Sequence, residues 1–281
     1  MVQVRYFAPA PSLRGLISSY YWCATDRRLL CDRMRAELAQ VRFITNGALA
    51  YCFADGRQIV CPTALLSGPT TTPVETAATG PFSVFGAGLM PAGWSALIGL
   101  DADTLADDAV DLRGVVGVAA DEAIDAIANA TDDAARVAAA DRFFLALLER
   151  PRRVPAWFLR LTDDWLTATP DPQVDTLVAA SGMSSRQVER WSRRHYGASP
   201  KLLARKYRAL QAAVRLGTGE ARDWAEAAGD AFYDQSHFIR EFKHFVGVTP
   251  SRFVADAAPV SRVTIARRSL LPGMPRLALY S

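Results

Sequence analysis

Residues 184–216 read SSRQVERWSRRHYGASPKLLARKYRALQAAVRL, and the fold follows from how this stretch is parsed. It holds nine Lys or Arg residues (Arg186, Arg190, Arg193, Arg194, Lys201, Arg205, Lys206, Arg208, Arg215) against one acid, Glu189. The whole chain of 281 residues carries a formal charge of only +3, so this is a concentrated positive feature. Apolar residues recur through it on a helical period. Gly197 then stops one helix, and Ser199-Pro200 starts the next as N-cap and first helical residue. The first helix is basic and runs to Tyr196; the second continues to about Leu216 with Leu202, Leu203, Tyr207, Leu210 and Val214 on its apolar face.

A partial copy of the pattern returns fifty residues later. Arg190-x6-Gly197-x-Ser199-Pro200 aligns with Arg240-x6-Gly247-x-Thr249-Pro250, and Val188 falls on Phe238. A short helix over Val174 to Ala180 and the turn Ser181-Gly182-Met183-Ser184 precede the first basic helix, with Asp171-Pro172 as the expected cap. A short helix over Asp223 to Asp230 precedes the second, Gln235 to Val246, which Asp234 caps. Short helix, tight turn and second helix make a helix-turn-helix, and here there are two. The helix between them is about 27 Å long at 1.5 Å per residue. A rod of that length sets two recognition helices roughly one DNA turn, about 34 Å, apart, so that they enter successive major grooves.

Upstream the pattern changes. Residues 2–90 read as short strands: Ile17 to Thr25, Val41 to Thr45, Ala48 to Phe53, Gln58 to Cys61, Val74 to Thr79 and Phe82 to Leu89. Asn46-Gly47 and Asp55-Gly56 favour positive φ and predict hairpins. Such spacing implies a small β-barrel or sandwich. Trp94 to Leu100 forms a short helix, and Asp121 to Asn129 and Asp132 to Arg150 form longer ones, with Asp121 and Asp132 as N-caps. Ala156 to Thr167 adds a helix with Trp157, Leu161 and Trp165 on one stripe. The fold class is therefore α+β: a β-rich N-terminal part with helices, and an all-α C-terminal part with two helix-turn-helix motifs on a long linker helix. The expected division is 1–118 as a β-rich effector-sensing domain, 119–154 as a helical connector and candidate dimerisation segment, 155–257 as the DNA-binding domain, and 258–281 as a basic, proline-containing tail.

Composition bounds the function. Half the residues are hydrophobic, so both parts can bury a core. No apolar run approaches the roughly 18 residues of a membrane span, and MVQVRYFAPAPS lacks the apolar stretch of a signal peptide, so a cytoplasmic chain without membrane contact is expected. Cys23, Cys31, Cys52 and Cys61 show no CxxC spacing, and buried free thiols are expected. Residues 101–149 hold twelve acids against three basic residues, whereas the half beyond is basic. That asymmetry suggests a regulatory part and a nucleic-acid-facing part.

These residues resemble the AraC/XylS family of bacterial transcription regulators over roughly 156–256. The carriers are Leu177 through Arg190 (LVAASGMSSRQVER), Gly197-Ala198-Ser199-Pro200, Asp234 through Lys243 (DQSHFIREFK) and Gly247-Val248-Thr249-Pro250. Residues 16–118, chiefly Phe85 to Val116, look like the β-rich domain that precedes this helix-turn-helix in one subgroup. The resemblance implies a sequence-specific DNA-binding regulator, activator or repressor, modulated by a small molecule or by dimerisation, with RNA polymerase as a candidate partner. Three departures stand out. Ser192 replaces a buried Phe, with Trp191 as the candidate to fill the space; Ala231 replaces a turn glycine; and Glu226 falls where a buried apolar residue is usual, so Trp224 is expected to be seated instead. The second unit is thus expected to be the weaker.

With Val188 and Trp191 turned to the core, Ser185, Arg186, Glu189 and Arg190 face outward as base-contact candidates. Arg186 and Arg190 suit guanine O6 and N7, and Glu189 either accepts from cytosine N4 or pairs with Arg193 one turn on. In the second helix Gln235 suits adenine, Ile239 a thymine methyl, and Arg240 a guanine, a phosphate or an internal ion pair, with Ser236 beside them. Ser184, Arg193, Arg194, Lys201, Lys243 and Thr249 are phosphate candidates, which fix register without reading sequence. Tyr20, Tyr21, Trp22, Phe43, Tyr51, Phe53 and Phe85 are candidates for an apolar effector pocket, or else plain core. Rival readings are an architectural DNA binder without sequence preference and an enzyme built on a cupin-like domain. Against the enzyme, the chain has no Gly-rich phosphate loop, no GxSxG and no HExxH, and its three histidines (His195, His237, His244) all lie outside the β-rich half. Neither a cofactor nor a metal is expected.

Overall fold

The N-terminal strands join in one antiparallel sheet whose two faces do different work. In the computed structural model, which describes residues 2–255, 271 and 273–280, they are β1 (Val2–Phe7), β2 (Ile17–Thr25), β3 (Leu29–Met34), β4 (Gln40–Cys52), β5 (Gln58–Val60), β6 (Ala64–Ser67), β7 (Val74–Leu89) and β8 (Ala109–Asp111). The order is β1-β2-β7-β4-β6-β8, with β3 added to β7 and β5 to β4. The path does not close, so the expected barrel or sandwich is an open, bent sheet.

Its spine is the long pair β4 and β7. Asn46-Gly47, expected as a hairpin, is instead a bulge inside β4, where the register against β7 shifts on both sides of Asn46. Gly47 takes φ 76°, and a Cβ there would lie 2.4 Å from the Thr79 carbonyl oxygen, so the partner strand passes too close for any side chain. The two strands expected over 74–79 and 82–89 are likewise one. Asp55-Gly56 does lie in the turn that joins β4 to β5.

Strand alternation sends one set of side chains, including Tyr20, Phe43, Phe85 and Leu89, under the helices α3 (Ala119–Ala128) and α4 (Asp133–Leu148). Asp132 caps α4 by accepting from Ala135 N, whereas α3 starts at Ala119 with no side-chain cap, and Asp121 sits in its first turn paired to Arg113. Before them lie α1 (Pro91–Gly93), a turn of π-helix over Trp94–Ile98, and α2 (Arg113–Val116).

The remaining helices are α5 (Ala156–Ala168), α6 (Val174–Ser181), α7 (Ser185–Tyr196), α8 (Pro200–Thr218), α9 (Trp224–Ala228), α10 (Gln235–Val246), α11 (Pro250–Ala255) and α12 (Arg276–Leu279). In α5 the buried face is Phe158, Leu159, Thr162, Trp165 and Leu166; Trp157, expected on the inner stripe, is exposed. Gln173 rather than Asp171 stands at the N-cap of α6. The tail expected over 258–281 lies largely outside the described residues, but its α12 is docked, with Leu277 and Ala278 buried beside Phe158 and Leu166. Leu38 and Met90, from the sheet half, belong to that same cluster, so sheet and helices share apolar packing. All four cysteines are free; Cys61 alone is buried, and Cys31 is exposed against expectation.

Under Tyr196, at the end of α7, Asp163 of α5 accepts from the Tyr196 hydroxyl at 2.7 Å. Burial pushes this carboxyl up to about 7, with the Tyr196 bond opposing the rise. The folded chain therefore holds the proton more tightly than the unfolded one, and stability is lost as pH climbs from about 4 through 7. Asp163→Asn is accordingly expected to raise the thermal midpoint at pH 8 more than at pH 5. Equal shifts at the two pH values, read by circular dichroism, would contradict this.

Candidate nucleic-acid interface

Helix α7 starts where local chemistry tells it to. Gly182 takes φ 65° after α6, and Ser184 forms a capping box with Gln187: Ser184 Oγ accepts from Gln187 N, and Gln187 Oε1 from Ser184 N at 3.0 Å. Val188, Ser192, His195 and Tyr196 are buried; Ser185, Arg186, Glu189, Arg190, Arg193 and Arg194 are exposed. Trp191, the candidate to fill the space at Ser192, is half-buried against the cluster around Val188 and Phe158. Its ring packs on Phe158 at 5.2 Å, and Ser192 Oγ is buried without a hydrogen-bond partner.

Much of the positive stretch is neutralised within the chain. Arg193 pairs with Glu189 at 2.9 Å, and Arg194 reaches Asp101 at 3.0 Å. On the linker helix α8, Arg205 forms a two-pronged pair with Glu241, while Arg208 joins Asp171 at 2.9 Å and the Ala231 carbonyl at 2.8 Å. Lys206 is buried. Among the described residues of this stretch, Arg186, Arg190 and Lys201 are exposed and form no ion pair.

In the second unit Asp234 caps α10 by accepting from His237 N at 2.7 Å. Phe238, Phe242 and Phe245 are fully buried; Gln235, Ser236, Arg240 and Lys243 are exposed, and Ile239 is half-buried. Arg240 forms no ion pair among the described residues, so the internal pair considered for it is not made; its neighbour Glu241 pairs with Arg205 of α8 instead. Glu226 is not a buried charge. It lies on the exposed side of the one-turn helix α9 and accepts from Arg222 N at 2.8 Å. Trp224 is only partly seated, 37% exposed, with its ring 6.2 Å from Phe238. Thr249 Oγ1 accepts from Arg252 N at the start of α11.

Both recognition helices rest their C-terminal ends on the sheet half and leave their N-terminal halves outward. Gly197, at φ 77°, ends α7 against Pro69; a Cβ there would come within 2.6 Å of the proline ring. His195 Nδ1 hydrogen-bonds Ser95 Oγ at 2.8 Å, and burial pushes this imidazole down to about 4, leaving it neutral at pH 7. At the end of α10, Arg33 Nη1 donates to Gly247 O at 2.7 Å and Ala36 N to Phe245 O at 2.8 Å, satisfying carbonyls that a helix leaves open. Lys206 Nζ donates to Glu37 O at 2.9 Å and Thr70 O at 2.7 Å.

The sheet's second face encloses a cavity of about 120 Å³. Of the seven expected pocket residues, Tyr21 and Tyr51 line it and Phe53 packs in the cluster around it. Tyr20, Phe43 and Phe85 turn to the helix-covered face, and Trp22 lies under the Arg136 guanidinium at 4.3 Å. Gln40 and Arg42 line the cavity as well, and nothing in the sequence marks them. Period-2 alternation was the available signal: neighbours in one strand cannot share a face. Among the described residues no His, Cys, Asp and Glu group could hold a metal ion, and no helix is long and apolar enough to cross a membrane.

Residues 177–256 match a helix-turn-helix domain family, and residues 5–111 match a domain of unknown function, DUF6597. Residues 177–256 form a helix-turn-helix domain of the AraC type. No curated protein matches it. Solved structures it is similar to include ToxT from Vibrio cholerae O395, at 10% identity over 90% of this chain and 97% of that one, with a TM-score of 0.48. Another is ToxT from Vibrio cholerae strain SCE256 bound to an unsaturated fatty acid, at 10% identity over 90% and 94%, TM-score 0.45. A third is the AraC-like transcriptional activator CuxR, at 15% identity over 75% and 86%, TM-score 0.28.

The Arg194–Asp101 pair ties a cation of the first recognition helix to the sheet half. Asp101→Ala is expected to free Arg194 for phosphate. Affinity for random duplex DNA should then rise, and the slope of log K against log salt should steepen by about one. Titration at several salt concentrations checks this, and an unchanged slope would show that Arg194 stays off the phosphates.

Proposed function

We propose that this AraC-type regulator binds double-stranded DNA sequence-specifically, that α7 dominates the reading, and that the sheet half modulates binding through a small molecule or dimerisation. The observation that carries the first part is the pair Arg186 and Arg190, exposed, unpaired and one turn apart. Each suits a guanine edge. Ser185 lies beside them, and Glu189 reads a base only by releasing Arg193. In α10, Gln235, Ser236, Ile239 and Arg240 take the base-contact role. Ser184, Lys201, Lys243 and Thr249 meet phosphates, and Arg193 and Arg194 do so when released from Glu189 and Asp101.

The working division remains 1–118 for sensing, 119–154 as connector or dimer contact, 155–257 for DNA and 258–281 as a tail. The chain acts as a binding protein in the cytoplasm, with RNA polymerase as a candidate partner, rather than as an enzyme. What favours sensing is that the cavity wall and the seat of the helix-turn-helix units are one segment: Ala36 and Glu37 lie in the connection between β3 and β4. A non-specific architectural binder would not need two different outward surfaces on α7 and α10.

Arg186→Ala or Arg190→Ala should each cost about 1–3 kcal/mol on a selected site and relax base preference at one position. Lys201→Ala, which removes an exposed cation that forms no ion pair among the described residues, should instead weaken selected and random duplexes alike. Fluorescence anisotropy on single-base variants of the site makes the comparison; Arg190→Ala and Arg186→Ala with unchanged affinity and preference would sink the assignment.

A further inference from the structure

We propose that the cavity on the second face of the sheet takes a small uncharged molecule with an apolar body and one hydroxyl or N–H donor, anchored on Gln40, in preference to a carboxylate. The inference rests on the small-molecule reading above and gives it a chemical class.

Size sets the first limit. An apolar cavity of about 150 Å³ holds benzene, so about 120 Å³ suits a single ring or a short branched chain. Most of the wall is apolar, with Val4, Leu30, Leu49, Ala78, Phe82 and Val84 among its residues. Against this background Gln40 is conspicuous. It is 5% exposed, it lines the cavity, and its Oε1 has no hydrogen-bond partner. An acceptor withdrawn from water and left unpaired is costly, and a ligand donor removes the cost.

Charge sets the second limit. The wall carries Arg35 and Arg42 but also Asp32 and Glu37, so its formal charges cancel. Arg42 is committed on both terminal nitrogens: to Glu37 Oε1 at 2.7 Å, Tyr51 Oη at 2.8 Å and Ser67 Oγ at 3.1 Å. A carboxylate would have to displace Glu37 from Arg42 or turn to Arg35, the other cation of the wall; an uncharged donor needs neither.

The same Glu37 carries the consequence outward. Its side chain holds Arg42 at the cavity, and its carbonyl accepts from Lys206 of α8. Next to it, Ala36 N holds the end of α10. A ligand packed against this wall restrains the segment that seats the linker helix and the second recognition helix.

Calorimetric titration of the full chain with p-cresol, toluene and benzoate tests the class. p-Cresol should bind about ten-fold tighter than toluene, and benzoate more weakly than either. In Gln40→Leu the cresol preference should vanish while toluene still binds, which shows the cavity intact. Benzoate binding as tightly as p-cresol, an unchanged preference in Gln40→Leu, or no binding of any of the three would overturn the class. DNA affinity measured with and without p-cresol separates the two readings. Cresol that binds without changing DNA affinity keeps the ligand class and removes the effector role. If none binds, Ala78→Phe, which fills the space, still reports through DNA affinity whether the cavity is coupled to the helices.

Discussion

Lys206 is buried on the linker helix with its ammonium on two carbonyl oxygens of the sheet half, those of Glu37 and Thr70. A charged amine withdrawn from water is expensive, and burial pushes Lys206 down to about 8, so it remains protonated at pH 7. What holds it is a pre-shaped acceptor site. Glu37 N donates to Thr70 Oγ1 at 2.8 Å and Thr70 N to Glu37 O at 3.1 Å, while Asp107 accepts from the backbone amides of Thr71 and Thr72. The loop over 68–73, which looks featureless in sequence, is thereby fixed against α8.

From α8 the constraint passes to both helix-turn-helix units. Arg208 bridges Asp171, ahead of the first unit, and the Ala231 carbonyl in the turn of the second; Arg205 grips Glu241 on α10. These arginines act as cross-links, and only a few side chains remain for DNA. Unpaired Arg186 and Arg190 on α7 face outward with no comparable arginine pair on α10. The inequality of the two units therefore lies in their free charge and in the one-turn length of α9, not in a buried Glu226.

Local signals were the ones the sequence displayed well. Ser184, Ser199 and Asp234 all accept from a backbone amide at a helix start, and Gly197 and Gly247 both take positive φ at a helix end, because caps depend on a few adjacent residues. Failures came where the answer depends on a distant partner. Asn46-Gly47 has the composition of a hairpin, but β7 running alongside turns it into a bulge. The aromatic residues chosen for a pocket mixed both faces of the sheet, since nothing in β2 alone says which face is covered by α3 and α4. Arg194 reads as a phosphate contact, and nothing near His195 or Lys206 in sequence points to an internal role; each is engaged by a residue about a hundred or more positions away.

Hydroxyl-radical footprinting of the full chain on a selected duplex measures most directly whether one chain reads two successive grooves unequally. The expected pattern is two protected patches on one face of the DNA, about 10 base pairs apart, with base substitutions more costly under one patch than under the other. A single patch, or even protection that ignores sequence, would contradict it.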